Sequence, residues 1–471
     1  GVNLEQFVNE IFSHAPPLAQ PVLQSDADVD PGVFDEFVIL QSLDQGDANI
    51  SVPADLFTCD DCLAELNTPS DRRYRYPFIN CTQCGPRYTL IRALPYDRAS
   101  TSMAGFELCQ ECRREYNDPA NRRFHAEPVA CPRCGPRLEF VQPAGETISG
   151  NDETLSAAIV VLQGGGIIAV KGIGGYHLVC DARSEAAVDL LRQRKRRPHK
   201  PLAVMFPLQG PDGLDAVRQH VLLTAPEAEL VTGPMRPIVL VSRRPDTDLA
   251  AGIAPGLAEV GVFLPYSPLH ELLLTAVGGP VVATSGNISG EPVLTNNDEA
   301  SRRLAPIADA FLQHDRPIVR PADDPVLRRI ADTVRPLRIG RGCAPLELSL
   351  PWRLGAPLLA VGGHMKGTLA LAWDDRVVVS PHIGEMDSPR SLDVFEQVAR
   401  DLQDLYGVRA ERIVRDAHPG YTTHRWAGRQ ALPTADVWHH EAHASAVAAE
   451  FAAGDECLVF AWDGVGLGRD G

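Results

Sequence analysis

The sequence holds no run of eighteen apolar residues, so no segment has the length and hydrophobicity of a membrane-spanning helix. Positive charge is scarce: 44 Lys and Arg face 61 Asp and Glu, for a net charge of −17. That balance argues against general affinity for nucleic acid or anionic membranes. A local basic patch for anions remains compatible with it. The first residues, GVNLEQFVNE, include no initiator Met, no basic n-region and no apolar h-region, so no secretory signal is visible and a cytoplasmic location is expected. The end, AWDGVGLGRDG, stops in a glycine-rich loop after a strand-like run. The chain reads as a piece of something longer, cut at both ends. At 471 residues, 44% of them hydrophobic, it is expected to form three or four globular domains.

Cysteine is present and ordered. Eight of the eleven form four C-x-x-C pairs: Cys59/Cys62, Cys81/Cys84, Cys109/Cys112 and Cys131/Cys134. Each half reads C-x2-C-x18-C-x2-C, and the second half repeats the first at an offset of fifty. The repeat extends beyond the cysteines: TPSDRRYRYPFINCTQCGPR lies over DPANRRFHAEPVACPRCGPR. A disulfide framework is the rival reading, but without a signal peptide the cytosol would keep these thiols reduced. Two C-x-x-C turns instead complete a tetrahedral four-cysteine zinc site, closed to substrate and serving folding. Two such zinc sites are expected, one per repeat, with interleaved pairing left open by spacing alone.

Before this module, Leu4, Phe7, Val8, Ile11 and Phe12 recur with helical period, which predicts an amphipathic helix over 4–12. APP at 15–17 stops it, and VFDEFVIL at 33–40 predicts a strand. One helix and one strand make no stable domain, so this stretch reads as the end of a severed one.

After the module, a buried strand is expected from Ile167 to Val170, followed by a glycine-rich turn. SEAAVDLLRQR (184–194) predicts a helix capped by Ser184. The following basic run, RQRKRRPHK (192–200), alone is a solvated helix end. It stands, however, with Lys171 at a strand end and with VVATSGNISGEP (281–292). That segment reads as a strand, Val281 to Ala283, then Thr284, Ser285, Asn287 and glycines. Hydroxyls, an amide and turn N–H groups cradle phosphate oxygens, while Lys and Arg neutralise them. Together these features predict a pocket for an anionic nucleotide in an α/β domain.

In the last third, LLAVGGHMKGTLALAW (358–373) predicts strand, Gly-Gly turn, strand, and CLVFAWDGVGLGRDG (457–471) a buried strand ending at Asp463 before a glycine loop. In WHHEAHASAVAAE (438–450), His439 and His443 share one helix face. Such a pair is ordinary metal-ligand geometry, although a lone His pair more often packs or faces water.

KGIGGYHLVCDA, RKRRPHKPLAVM and TSGNISGEP resemble the YrdC-type domain, which makes carbamoyl-adenylates. With the tandem cysteine module ahead of them, the arrangement resembles the HypF family, the carbamoyltransferases of nickel–iron hydrogenase maturation. VPADLFTCDDCLAEL, RRYRYPFINCTQCGPRYTLIRALPYDR and RRFHAEPVACPRCGP carry that likeness most specifically. It implies a multidomain α/β and α+β chain. Residues 1–48 would be the remnant of an acylphosphatase-like domain and 49–142 the tandem zinc module. Residues 150–345 would form the YrdC-like domain and 350–471 the first half of an actin-like transferase domain.

The resemblance also implies site residues. Lys171, Lys195, Arg197, Lys200, Ser285 and Asn287 would hold nucleotide or substrate in the YrdC-like domain. Gly362, Gly363 and Lys366, with Asp463, Gly464 and Gly466, resemble the phosphate loops of actin-like ATP-binding folds. His439 and His443 resemble an H-x-x-x-H motif that holds iron or zinc, and RDAHPGYTTHRWA (415–427) is similar to the family pattern D-x-H-P-x-Y. No residue is assigned as the catalytic group. Glu441, Gly367 and Pro325 depart from the family, which usually has His, Asn and Ser there.

The activity implied is an ATP- and Mg²⁺-dependent carbamoyl transfer. Carbamoyl phosphate gives carbamate, carbamate and ATP give carbamoyl-adenylate, and the carbamoyl group passes to the C-terminal cysteine of the partner HypE. An antibiotic-type O-carbamoyltransferase shares the last two domains, but that family lacks the zinc repeat. A zinc-dependent nucleic-acid binder should carry a basic surface, which this acidic chain does not promise. No nucleic-acid or membrane partner is expected.

Overall fold

The computed structural model describes residues 2–13, 51–142 and 145–451, with separate positions at 15, 21, 23, 456–462 and 467–468. The strand expected at 33–40 lies outside these residues, as do Asp463, Gly464 and Gly466. The expected N-terminal helix is present as Val2–Ser13, with Leu4, Phe7, Ile11 and Phe12 exposed. Among the described residues no helix is long and apolar enough to cross a membrane.

The two cysteine repeats fold alike. Cys59 and Cys109 cap the eight-residue helices Asp60–Asn67 and Gln110–Asn117 from an extended backbone. The first turn of each helix thereby carries Cys62 or Cys112. Neither repeat has a core of its own. Leu66, Tyr76 and Phe78 join the core that also holds Leu155, Ile168 and Leu269. Tyr88 and Ile91 instead join a different core with Leu359, Leu371 and Phe395. The first repeat therefore packs into both of the sheets described next.

The larger sheet has 12 strands of mixed direction. Its centre runs Ala203–Met205, Val281–Ser285, Tyr176–Asp181, Ile168–Lys171 and Ala310–His314. The strand expected at 167–170 thus runs one residue later. Ile168 and Val170 enter one core and Ala169 the other, the two-residue alternation of a strand buried on both faces. Helix Glu185–Lys195, capped by Ser184 as expected, covers one face with Ala187, Val188 and Leu191. The strand that follows the second repeat, Leu138–Val141, pairs with Ala310–His314, so the end of the cysteine module is woven into this sheet.

The second sheet has six strands, in the order Leu346–Ser349, Arg376–Val379, Ala370–Trp373, Leu358–Ala360, Arg412–Asp416 and Thr434–Val437. Leu358–Ala360 and Ala370–Trp373 are the expected strand–turn–strand. Helix Pro389–Tyr406 buries Phe395, Val398 and Leu402 against the sheet. The buried strand expected from Cys457 to Asp463 is not formed by its described residues, and Asp463 lies outside them. The described residues 456–462 form no strand, and Leu458, Phe460 and Trp462 are 83%, 73% and 95% exposed. An apolar run becomes a strand only with a paired neighbour and covered faces, and this run has neither among the described residues.

Candidate metal and nucleotide sites

Each repeat gathers its own four cysteines, which settles the pairing that spacing left open. In the first set Cys59–Cys81, Cys81–Cys84 and Cys84–Cys62 have Sγ separations of 3.6, 3.7 and 3.5 Å. In the second, Cys109–Cys131, Cys131–Cys134 and Cys134–Cys112 lie at 3.8, 3.7 and 3.6 Å. Four sulfurs at the usual Zn–S distance form a tetrahedron with edges of about 3.8 Å, so both sets fit a zinc ion. All eight cysteines are buried or half-buried.

A cavity of about 300 Å³ opens beside the strand Val281–Ser285, between the larger sheet and loops of the second. The glycine in TSGN follows from geometry: a Cβ on Gly286 would sit 2.6 Å from Tyr176 Cβ on the neighbouring strand. Ser285 Oγ donates to Asn287 Oδ1 at 3.1 Å, and Asn287 Nδ2 donates to the Glu291 carbonyl. Lys195 lies behind this loop. Its ammonium donates to the Ser285 carbonyl, the Asn287 carbonyl and Asn287 Oδ1 at 2.6, 2.9 and 2.8 Å. Three donors with three protein acceptors make Lys195 a holder of the loop. Burial, reinforced by Arg197, pulls its pKa down to about 7.

Arg197 and Lys200 line the cavity itself. Arg197 donates to Thr284 Oγ1 at 3.1 Å and to the Pro201 carbonyl at 2.6 Å. Burial and then Arg192 lower its pKa to about 10, and burial and then Arg197 lower that of Lys200. Several carboxylates in the wall are already paired. Asp323 meets Arg338 at 2.9 Å, Asp324 meets Arg341 at 3.1 Å, and Glu291 meets Arg303. Burial raises the pKa of Asp324, but His177 at 2.8 Å and Arg341 outweigh it and hold the carboxyl below the usual range.

The opposite wall comes from the second sheet's loops: Lys366, His382 and Glu385. Lys366 has a left-handed backbone, φ 51°, beside the bonds Gly367 N to Gly384 O (2.8 Å) and Ile383 N to Gly367 O (2.9 Å). Burial lowers the pKa of His382 to about 4, so it is neutral at pH 7. Sequence reasoning missed His382 and Glu385, and grouped Lys366 with the last-third glycine turn; here it joins Arg197 and Lys200. No motif spacing signals a contact made across two folded units.

Lys171 is elsewhere. It borders a smaller cavity of about 20 Å³ with Phe78, Pro86 and Arg316. Its ammonium donates to Asn297 Oδ1, the His314 carbonyl and the Arg316 carbonyl at 2.6, 3.0 and 3.0 Å. Burial and then the Arg316 charge lower its pKa to about 7.

In the second sheet, the Gly362–Gly363 turn, Asp416 and His439 converge. Thr423 Oγ1 donates to the Gly362 carbonyl at 3.1 Å, and a Cβ on Gly363 would lie 3.4 Å from His439 Cε1. His439 Nδ1 meets Asp416 Oδ2 at 2.5 Å, the pairing that orients metal-bound imidazoles. The His439 and His443 rings lie 4.9 Å apart on helix His439–Glu450. Among the described residues, the groups of three or more metal-type ligands are the two cysteine sets.

These features define a multidomain α/β chain: a tandem four-cysteine module, a YrdC-type sheet with a polar cavity, and a second mixed sheet. Residues 160–340 match the Sua5, YciO and YrdC family, described as "Telomere recombination". Residues 58–91 and 108–141 match "HypF finger", and 353–450 match "HypF Kae1-like domain". The chain is 50% identical over 439 residues to a carbamoyltransferase HypF of Synechocystis sp., covering 93% of this chain and 56% of that one. A carbamoyltransferase HypF of Rhodobacter capsulatus is 43% identical, with 100% of this chain and 63% of that one covered. A crystal structure of full-length HypF in a phosphate- and nucleotide-bound form superposes with a TM-score of 0.93 at 39% identity, over 99% of this chain and 61% of that one. The chain belongs to the HypF family, and it spans about three-fifths of the length of the relatives it matches.

Proposed function

We propose that the chain carries the adenylate-forming station of a HypF-type carbamoyltransferase, with the 300 Å³ cavity as its site. The observation that carries this reading is the meeting of Arg197, Lys200, Ser285 and Asn287 with Lys366 from the other sheet. Triphosphate has the charge that such a set complements. That a full-length relative crystallised in a phosphate- and nucleotide-bound form supports the ligand class.

In this reading a carbamate oxygen attacks the α-phosphorus of ATP. The bond to the β-phosphate oxygen breaks, pyrophosphate leaves, and carbamoyl-adenylate remains. Arg197, Lys200 and Lys366 stabilise charge as it moves onto the leaving pyrophosphate. Lys195 keeps the Ser285–Asn287 loop in the shape that presents hydroxyl and amide. Mg²⁺, when bound with ATP, supplies further neutralisation of the phosphates. The enclosed position between two sheets protects carbamate and its adenylate from water.

The onward step is transfer to a HypE C-terminal cysteine: the thiolate attacks the carbonyl carbon, AMP leaves, and a thiocarbamate forms. Both zinc-fitting sets serve folding in this scheme, consistent with a module that packs into both sheets. A metal at His439 and His443 belongs to the same proposal. The match of both repeats to the HypF finger supports this assignment over an O-carbamoyltransferase of the antibiotic type. Mixing the chain with ATP, Mg²⁺ and carbamoyl phosphate or ammonium bicarbonate, and reading the quenched mixture by mass spectrometry, should reveal carbamoyl-adenylate. Formation of ADP without any adenylate would contradict the reading.

A further inference from the structure

The two repeats are joined by contacts that each have a mate fifty positions away. Arg72 Nη2 donates to Cys112 Sγ at 3.2 Å, and Arg122 Nη1 donates to Cys62 Sγ at 3.2 Å. Arg73 Nε donates to the Ala130 carbonyl at 2.8 Å, and Arg123 Nε to the Asn80 carbonyl at 3.1 Å. Glu115 pairs with Arg72 and Arg73; Glu65 pairs with Arg122 and Arg123. Arg73 and Arg123 are only 1% and 3% exposed. Each of these four arginines thus reaches out of its own repeat into the other. The arrangement is self-complementary, like a twofold dimer interface folded into one chain.

The targets of these arginines are specific. Cys62 and Cys112 belong to the first knuckle of each site. Asn80 and Ala130 immediately precede Cys81 and Cys131, the entry to the second knuckle. One arginine pair therefore holds both knuckles of the opposite site. Four thiolates around Zn²⁺ carry a net charge of about −2, and hydrogen bonds from guanidinium to thiolate offset it. Outer-shell donors of this kind tune metal affinity. Four protonated thiols present no such charge, so the clamp is strongest on a loaded site.

We propose that the two four-cysteine sites load and release zinc as a unit, because each repeat's arginine pair positions and neutralises the cysteine set of the other. Zinc in the first site strengthens the grip of Arg122 and Arg123. That grip fixes the segment that leads from helix Gln110–Asn117 to Cys131 in the second repeat. Zinc in the second site acts back through Arg72 and Arg73, and by thermodynamic reciprocity the total effect of each ion on the other's affinity is the same. A coupling of ordinary size makes the second ion bind about 10-fold tighter than the first, or more.

The test is native mass spectrometry of the whole chain, stripped of metal under reducing conditions and titrated with zinc. At half-saturation the empty and two-zinc forms should dominate. Replacing Arg72→Met and Arg122→Met together should restore the single-zinc form to about half of the molecules, as for independent sites. A parent protein that already shows this statistical distribution overturns the proposal. If the stripped chain does not refold, zinc release from the loaded protein into excess chelator decides instead. The parent should lose both ions in one phase, and the double variant should accumulate a single-zinc intermediate. A single-zinc intermediate in the parent overturns the proposal equally.

Discussion

Lys195 and Asn287 are locked together at the edge of the large cavity, the ammonium reaching both the Asn287 carbonyl (2.9 Å) and its side-chain oxygen (2.8 Å). A helix end and a strand-end loop that lie far apart in sequence are thereby tied at one nitrogen. The burial of this ammonium also sets a pH dependence. The folded state holds this proton less tightly than the unfolded chain, because burial and Arg197 lower the Lys195 pKa to about 7. The unfolded lysine titrates near ~10.4. Between these values the unfolded state binds more protons, so stability should rise with pH from about 7 to about 10. Lys195→Met should remove part of that rise in urea unfolding across the range. An unchanged slope would contradict the burial of the ammonium.

Arg197 and Lys366 reach the cavity from different sheets. Arg197→Met and Lys366→Met should each weaken ATP binding, by calorimetry, through loss of about 1.5–3 kcal/mol of charged hydrogen bonding. That corresponds to roughly ten- to a hundred-fold in affinity. Lys171→Met should have a far smaller effect on ATP affinity, since its donors serve Asn297, His314 and Arg316. Equal losses at Lys171 and Arg197 would place the nucleotide differently.

Asp324 sits between His177 (2.8 Å) and Arg341 (3.1 Å), all of them buried. Removing its charge strands the buried Arg341 guanidinium and takes an acceptor from His177, so Asp324→Asn should cost ~3–5 kcal/mol in denaturant unfolding. The folded pKa of Asp324 lies below its unfolded value of ~3.9. Its contribution is therefore present above about pH 4 and lost as the pH falls below it. The variant should lack that part of the acid destabilisation. A variant as stable as the parent at pH 7 would contradict the pairing.

Much of this was legible in the sequence, and the divide is physical. The cysteine sets were readable because a C-x-x-C turn is local and the fifty-residue offset is arithmetic. The Ser184-capped helix was readable for the same reason. Which cavity each cation faces was not. Lys171, Lys195, Arg197 and Lys366 look alike in sequence, but the choice between holding a loop and facing the cavity rests on acceptors contributed from distant segments. His382 and Glu385 lacked any motif, since their place in the wall is purely tertiary. The apolar run at 457–462 looked like a strand because hydrophobicity is local while strand pairing is not.

Tyr88 and Ile91 of the first repeat are 1% and 0% exposed in the core of the second sheet, while Phe78 lies in a core of the first. Ile91→Ala should cost ~2–5 kcal/mol and loosen the second sheet. Chelating zinc should speed hydrogen exchange in both Ile168–Lys171 and Ala370–Trp373. Exchange that quickens only within the finger repeats would show that the module is an appendage rather than a wedge between sheets.

The most direct test of the adenylate-forming site is isotope exchange between pyrophosphate and ATP, with carbamate supplied by ammonium and bicarbonate. The chain should move labelled pyrophosphate into ATP only when carbamate is present, and Arg197→Met should slow this at least about tenfold, the loss of one charged hydrogen bond. Exchange that proceeds without carbamate, or that Arg197→Met leaves untouched, would contradict carbamoyl-adenylate formation in this cavity.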